Sequence, residues 1–122
     1  MSKKILIVED DALMLEVLAY ILSSNGYEVR TLAGGSEVFN QIKNNRPDLI
    51  IVDADLPGIN SRDICRLIKL NKTTSDLRVI MCASDDDPIE SILNQNGSPD
   101  DVLEKPFDIK SLIQKVEFQF AA

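Results

Sequence analysis

Residues 48–53 read Asp48-Leu49-Ile50-Ile51-Val52-Asp53, four consecutive large aliphatic side chains closed at both ends by a carboxylate. A run this apolar, with no polar alternation, predicts a strand buried on both faces, as in a parallel sheet covered by helices. The pattern repeats to either side, in Ile5-Leu6-Ile7-Val8 and in Val79-Ile80-Met81-Cys82. Helical spacing fills the gaps: Met14, Val17, Leu18 and Ile21 before Gly26; Val38, Phe39 and Ile42 before Asn44-Asn45-Arg46-Pro47. After Pro57-Gly58 come Ile64, Leu67 and Ile68, expected to face inward, then Ile89, Ile92 and Leu93. Asp87-Pro88-Ile89-Glu90 has the form of a helix start, with Asp87 as N-cap and Pro at the first position. Tyr27 to Leu32 alternates apolar and polar, which suits an edge strand. Val102-Leu103 is a short last strand, and Ile109, Leu112, Ile113, Val116 and Phe120 line a closing helix that Asp108 can cap.

Five βα units with right-handed crossovers leave few topologies. The expectation is one domain over residues 1–122: a flavodoxin-like, doubly wound, five-stranded parallel sheet of order 2-1-3-4-5 with five helices. That order places the alternating second strand and the short fifth strand at the edges.

A chain of 122 residues is long enough for its own core. Its net charge of −7 argues against nucleic acid or an anionic membrane as a direct partner. No apolar run is long enough to span a bilayer, and the start does not read as a signal peptide, so the expected location is the cytoplasm. Cys65 and Cys82 read as two reduced core thiols. The absence of histidine excludes Ser-His and Cys-His nucleophile pairs, and this chain cannot itself be a phosphohistidine donor.

In such a sheet, ligands bind beyond the carboxyl ends of the strands, where the strand order reverses between strands 1 and 3. Glu9-Asp10-Asp11 follows the first of these strands and Asp53 ends the third. The fold therefore gathers Glu9, Asp10 and Asp53. Clustered carboxylates repel unless a cation joins them, and Mg²⁺ suits a site of few carboxylates, waters and phosphate. Asp10 and Asp11 also suit a helix N-cap, and Asp55 a turn before Pro57-Gly58. Lys105-Pro106 ends the fifth strand over the same sheet edge. The lysine there either pairs with Asp53 and a phosphate or is a solvated surface residue, and a cis bond before Pro106 would aim it.

Three ordered segments carry a family resemblance: Ile5-Leu6-Ile7-Val8-Glu9-Asp10-Asp11, then Asp48 to Asp53 with Leu56-Pro57-Gly58, and Glu104-Lys105-Pro106-Phe107. Together they resemble the receiver domain of two-component response regulators, of the chemotaxis-regulator type, over essentially the whole chain. The resemblance implies that Asp53 is the phosphoacceptor and that Asp10 ligates Mg²⁺ directly, Glu9 mainly through water, and Asp55 through its backbone carbonyl. Lys105 would contact the phosphoryl oxygens. The donor would be a histidine kinase or a histidine phosphotransfer protein. Output would pass by protein contact through the helix 4, strand 5, helix 5 face, with Lys110, Lys115, Asp100 and Asp101 available for ion pairs in a homodimer. A signalling domain of this kind is not expected to be an enzyme.

Two positions depart from that family's pattern. Ala83 stands where a Thr or Ser is usual, and Val102 where an aromatic residue is frequent. Ser84 offers a substitute hydroxyl one residue on. The departure leaves an alternative, a phosphorylation-independent interaction module. Asp85-Asp86-Asp87 reads as a solvated loop leading into the helix cap. A distant alternative is a haloacid-dehalogenase-type phosphatase, suggested by Asp53-Ala54-Asp55 but opposed by Pro57 and by the Glu9-Asp10 pair on an earlier strand. A flavin site is disfavoured by the acidic pocket.

Overall fold

The computed structural model describes residues 2–84 and 86–121. Five strands, β1 (Lys4–Val8), β2 (Glu28–Leu32), β3 (Leu49–Asp53), β4 (Arg78–Ala83) and β5 (Asp101–Glu104), form one sheet of order β2-β1-β3-β4-β5. Every pairing is parallel. Five helices connect and close it: α1 (Ala12–Ser24), α2 (Val38–Asn44, led in by a 3₁₀ turn at Gly35–Glu37), α3 (Ser61–Leu70), α4 (Ile89–Leu93) and α5 (Ile109–Phe120). The doubly wound parallel sheet expected from the sequence is the fold adopted.

Because side chains alternate across a strand, each apolar strand feeds two cores. Leu6, Val8, Ile50, Val52, Val79, Met81, Ala83 and Val102 point to the side covered by α2, α3 and α4. Ile5, Ile7, Leu49, Ile51, Ile80, Cys82 and Leu103 point to the side of α1 and α5, where Leu18, Leu22, Leu112 and Val116 meet them. Fully apolar strands are required because neither face of the inner strands meets water.

Helix phases were less legible than strands. Val17, Leu67 and Ile109, read as inward-facing, are 43%, 59% and 57% exposed. In α1 the run Leu13-Met14-Leu15 leaves apolar residues on every side, so spacing alone cannot set which stripe meets the sheet. The buried stripe is Leu18 and Leu22, while Leu13 and Tyr20 face solvent. The expected start of α4 also shifts. Pro88 is its N-cap, and the Asp87 carboxylate instead accepts from the backbone N–H and hydroxyl of Ser84, at 3.3 and 3.1 Å. Asp108 caps α5 as expected, accepting from the Ser111 N–H. Cys65 and Cys82 are free and buried, and burial pushes each thiol up to about 12.

The α4–β5 connection leans on α3. Gly97 lies at φ +78°, and a Cβ there would come within 2.9 Å of the Arg66 Cα. Lys69 of α3 is bound to Asp100 at 2.9 Å in the same region, and Arg78 is 3.8 Å from it. Lys115 pairs with Asp101 at 3.2 Å. Asp100, Asp101 and Lys115 thus each have an ion-pair partner within the chain, because β5 starts beside α3 on one side and beneath α5 on the other. Replacing Gly97 with Ala combines the left-handed penalty with a backbone clash. It is expected to destabilise by about 1–2 kcal/mol or more, read as a lower urea midpoint at unchanged m-value; an unchanged midpoint would show that the turn relaxes freely.

Candidate functional site

The strand order decides where the acidic groups meet. Glu9 follows β1 directly, Asp53 is the last residue of β3, and the Val8↔Val52 register brings the two strand ends level. Lys105 follows β5, and its N–H donates to the Ala83 carbonyl at 2.7 Å, which holds it level with the end of β4. The Lys105–Pro106 peptide is cis.

Glu9, Asp10 and Asp53 each bring a carboxylate oxygen to within 4.8 Å of one another. Glu9 and Asp53 are buried and Asp10 is exposed. The two readings of Asp10 and Asp11 separate cleanly. Asp11 is the N-cap of α1, accepting from Leu13 and Met14 N–H at 3.0 and 3.1 Å. Asp10, not used as the cap, joins the cluster. One Asp53 oxygen accepts from the Asp55 N–H at 3.0 Å and lies 3.0 Å from the Lys105 ammonium. Lys105 is also 3.7 Å from Glu9, so the surface-lysine alternative is not what the fold adopts.

The electrostatics are those of a site short of positive charge. Burial, reinforced by hydrogen bonding to Asp53, raises the Glu9 carboxyl to about 7. Burial acts to raise Asp53 too, but the Asp55 N–H, Glu9 and Lys105 together hold it below its ordinary value. Burial disfavours the Lys105 ammonium, yet the Asp53 bond and the two carboxylates leave it above the usual lysine value. Lys105 thus offsets one of the buried carboxylates, while burial holds the Glu9 carboxyl above the ordinary carboxylate range. Asp55 is raised by its own partial burial and by the nearby Asp87.

The two departures from the family pattern are visible in the packing. Ala83 and Val102 are buried on the same face of the sheet. Ser84 is held by Asp87, so its hydroxyl is already engaged. Beside Val102, between α4 and α5, runs a cleft of about 410 Å³ lined also by Leu93, Leu103, Phe107 and Ser111. Asp85 lies outside the described residues. Asp87 as a partner of Ser84, and Ser61 as a donor to the Asp53 carbonyl, were not found by sequence reasoning; a polar residue at the first position of α3 was the available signal for the latter.

A family model described as the response regulator receiver domain matches residues 5–117. The chain belongs to the response regulator receiver family. It is 31% identical to the DNA-binding response regulator MtrA of Mycobacterium leprae, over 95% of this chain and 50% of that protein. It is 34% identical to the response regulator MprA of Mycobacterium sp. strain KMS, with the same coverage. A crystal structure from Chloroflexus aurantiacus, assigned as a response regulator, superimposes with a TM-score of 0.91 at 34% identity, over 100% of both chains. The chain spans about half the length of the curated relatives it matches. The expectation of no nucleic-acid partner rested on the charge of this chain alone and is not supported, since MtrA relatives are named as DNA-binding. Among the described residues, no helix is long and apolar enough to cross a membrane.

The raised Glu9 carboxyl has a measurable signature. The folded carboxyl, at about 7, stands above its ordinary 4.5, so the folded state binds the extra proton between these values. Stability in divalent-free buffer should therefore fall as pH rises through that window, because the unfolded chain then binds fewer protons than the folded one. Asp53 acts with the opposite sign but lower, below its ordinary 3.8, and no histidine titrates in between. Thermal midpoints measured across the window should decline in the native chain and stay flatter in Glu9→Gln. Identical slopes would show that Glu9 does not carry the proton.

Proposed function

We propose that the chain is a phosphoacceptor receiver domain in two-component signal transduction, accepting a phosphoryl group on Asp53. The observation that carries this reading is the Asp53 carboxylate held between Lys105 and the Asp55 N–H, with Glu9 and Asp10 alongside. In this reading the donor is a phosphohistidine on a histidine kinase or phosphotransfer protein, as membership of the receiver family implies; this chain, with no histidine, cannot itself be that donor.

The donor set fits a hard divalent cation. Its oxygens are all carboxylate, they lie close together, and the three acids outnumber the one lysine ammonium beside them. Glu9, Asp10 and Asp53 would hold Mg²⁺, with the Asp55 backbone carbonyl as a further oxygen. When bound, the ion supplies charge neutralisation for the incoming phosphoryl oxygens. An Asp53 oxygen attacks phosphorus, its new bond forms as the donor's P–N bond breaks, and the leaving imidazole keeps the electron pair. Lys105 follows the charge from carboxylate to phosphoryl oxygens, as its reach to both Asp53 and Glu9 allows. The product is an acyl phosphate on the protein, so the role is that of a signalling domain and not of a turnover enzyme.

The added charge of roughly −1.5 to −2 biases the surrounding loops. Output runs through the α4–β5–α5 face to a protein target. With Ala83, Val102 and an engaged Ser84, the coupling between pocket and face cannot use a β4-end hydroxyl and an inward-swinging ring. Those same residues favour a second reading, a binding module indifferent to phosphate.

Intact mass after incubation with acetyl phosphate and Mg²⁺ separates the readings. One phosphoryl group should be gained, and lost in Asp53→Asn or with chelator. Lys105→Ala should slow the gain by about 10²-fold, the scale seen when one charge-stabilising donor is removed. No gain in a chain that binds Mg²⁺ would leave the phosphate-indifferent module.

A further inference from the structure

We propose that Ser61 is a positioning residue for the acceptor, its buried hydroxyl pinning the Asp53 peptide from the α3 side. This rests on the phosphoacceptor reading of Asp53. Val52 is the last β3 residue in register with β1, whereas Asp53 is still in register with Cys82 of β4. The ladder toward β1 therefore stops one residue before the acceptor. The Ala54 N–H continues to β4, donating to the Cys82 carbonyl at 2.8 Å. On the other side, the Ser61 hydroxyl donates to the Asp53 carbonyl.

Ser61 is 1% exposed and is the first residue of α3, whose N-cap Asn60 accepts from the Arg62 and Asp63 N–H groups. A serine hydroxyl at that point has no capping duty, because Asn60 performs it. Its one described bond goes to the backbone of the acceptor, eight residues earlier. The Asp53 side chain is held by the Asp55 N–H and by Lys105, both at 3.0 Å. The Asp53–Ala54 peptide is held at two edges, by the Ala54 N–H bond to Cys82 and by the Ser61 hydroxyl on the Asp53 carbonyl. Without the hydroxyl, a buried carbonyl loses its donor, and the peptide can tilt about its remaining bond to β4. Tilting shifts the carboxylate relative to Lys105, Glu9 and Asp10.

In-line attack depends on near-attack geometry, and misplacement by about 1 Å costs up to about 10²-fold. Ser61→Ala should lower the saturating rate of Asp53 phosphorylation by acetyl phosphate on the order of tenfold, partway along that scale. Ser61→Cys, close in size but a weak donor, should fall with it. Ile68→Val, a buried α3 change, controls for stability and should leave the rate unchanged at a temperature where all variants are folded. The second readout needs neither donor nor Mg²⁺: the Asp53 ¹³C carbonyl and Ala54 ¹⁵N resonances should shift in Ser61→Ala and Ser61→Cys, and not in Ile68→Val. A native-like saturating rate and unmoved resonances in Ser61→Ala, in a preparation whose native chain is phosphorylated, would overturn the positioning role alone. Shifted resonances with a native-like rate would reduce Ser61 to a structural bond and overturn it equally. A native chain that takes no phosphoryl group overturns both readings together.

Discussion

Everything at the carboxyl edge of the sheet is organised by one imbalance: two buried carboxylates, Glu9 and Asp53, share one partly buried ammonium, Lys105. Burying charge is costly unless it is paired, and an incomplete set of charges is held together only by a scaffold stable in its own right. The scaffold here is the set of apolar strands whose ends carry these groups. β1 and β3 bring the acids together, and β5 brings the base. The imbalance leaves a cluster of acids at the sheet edge whose charge Lys105 offsets only in part.

Strand-borne features were the most legible in the sequence. Leu49-Ile50-Ile51-Val52 and Ile5-Leu6-Ile7-Val8 announce burial on both faces, and the crossover rule then orders the sheet almost without choice. Glu9, Asp10, Asp53 and Lys105 follow from their positions at strand ends, because a strand end is a fixed address once the order is known. Helix-borne features were less legible. α1 is apolar around much of its surface, so the sequence does not distinguish Val17, which faces solvent, from Leu22, which is fully buried. Asp87 fits the statistics of an N-cap, but Ser84 lies close enough in the folded loop to compete for its carboxylate, and local preference gave way to a tertiary partner. Ser61 was missed for a related reason: its bond joins residues that are near only after β3 and α3 pack.

The two departures from the family pattern lie together physically. Ala83 ends β4 opposite Glu104, and Val102 on β5 pairs with Met81, two residues back on the same face. Both are buried, and Val102 lines the cleft between α4 and α5. The hydroxyl and the ring usual at these two positions of the family are replaced by side chains with no polar atom and no ring. The fourth helix is also short, and the segment after it is bound to α3 through Lys69–Asp100 and the close approach of Gly97 to Arg66. The α4 region is thus braced on the α3 side and open on the α5 side.

The sheet divides the molecule into two cores that share strands but no buried side chain. Ala83 and Val102 belong to one, while Leu18, Leu22, Leu112 and Val116 belong to the other. The two interiors communicate through the strands they share and along one seam, where Val102 of one core and Leu103 and Phe107 of the other line the same cleft. Away from that seam, the interior behind α1 and the interior behind α3 can vary in composition with little direct contact between their side chains.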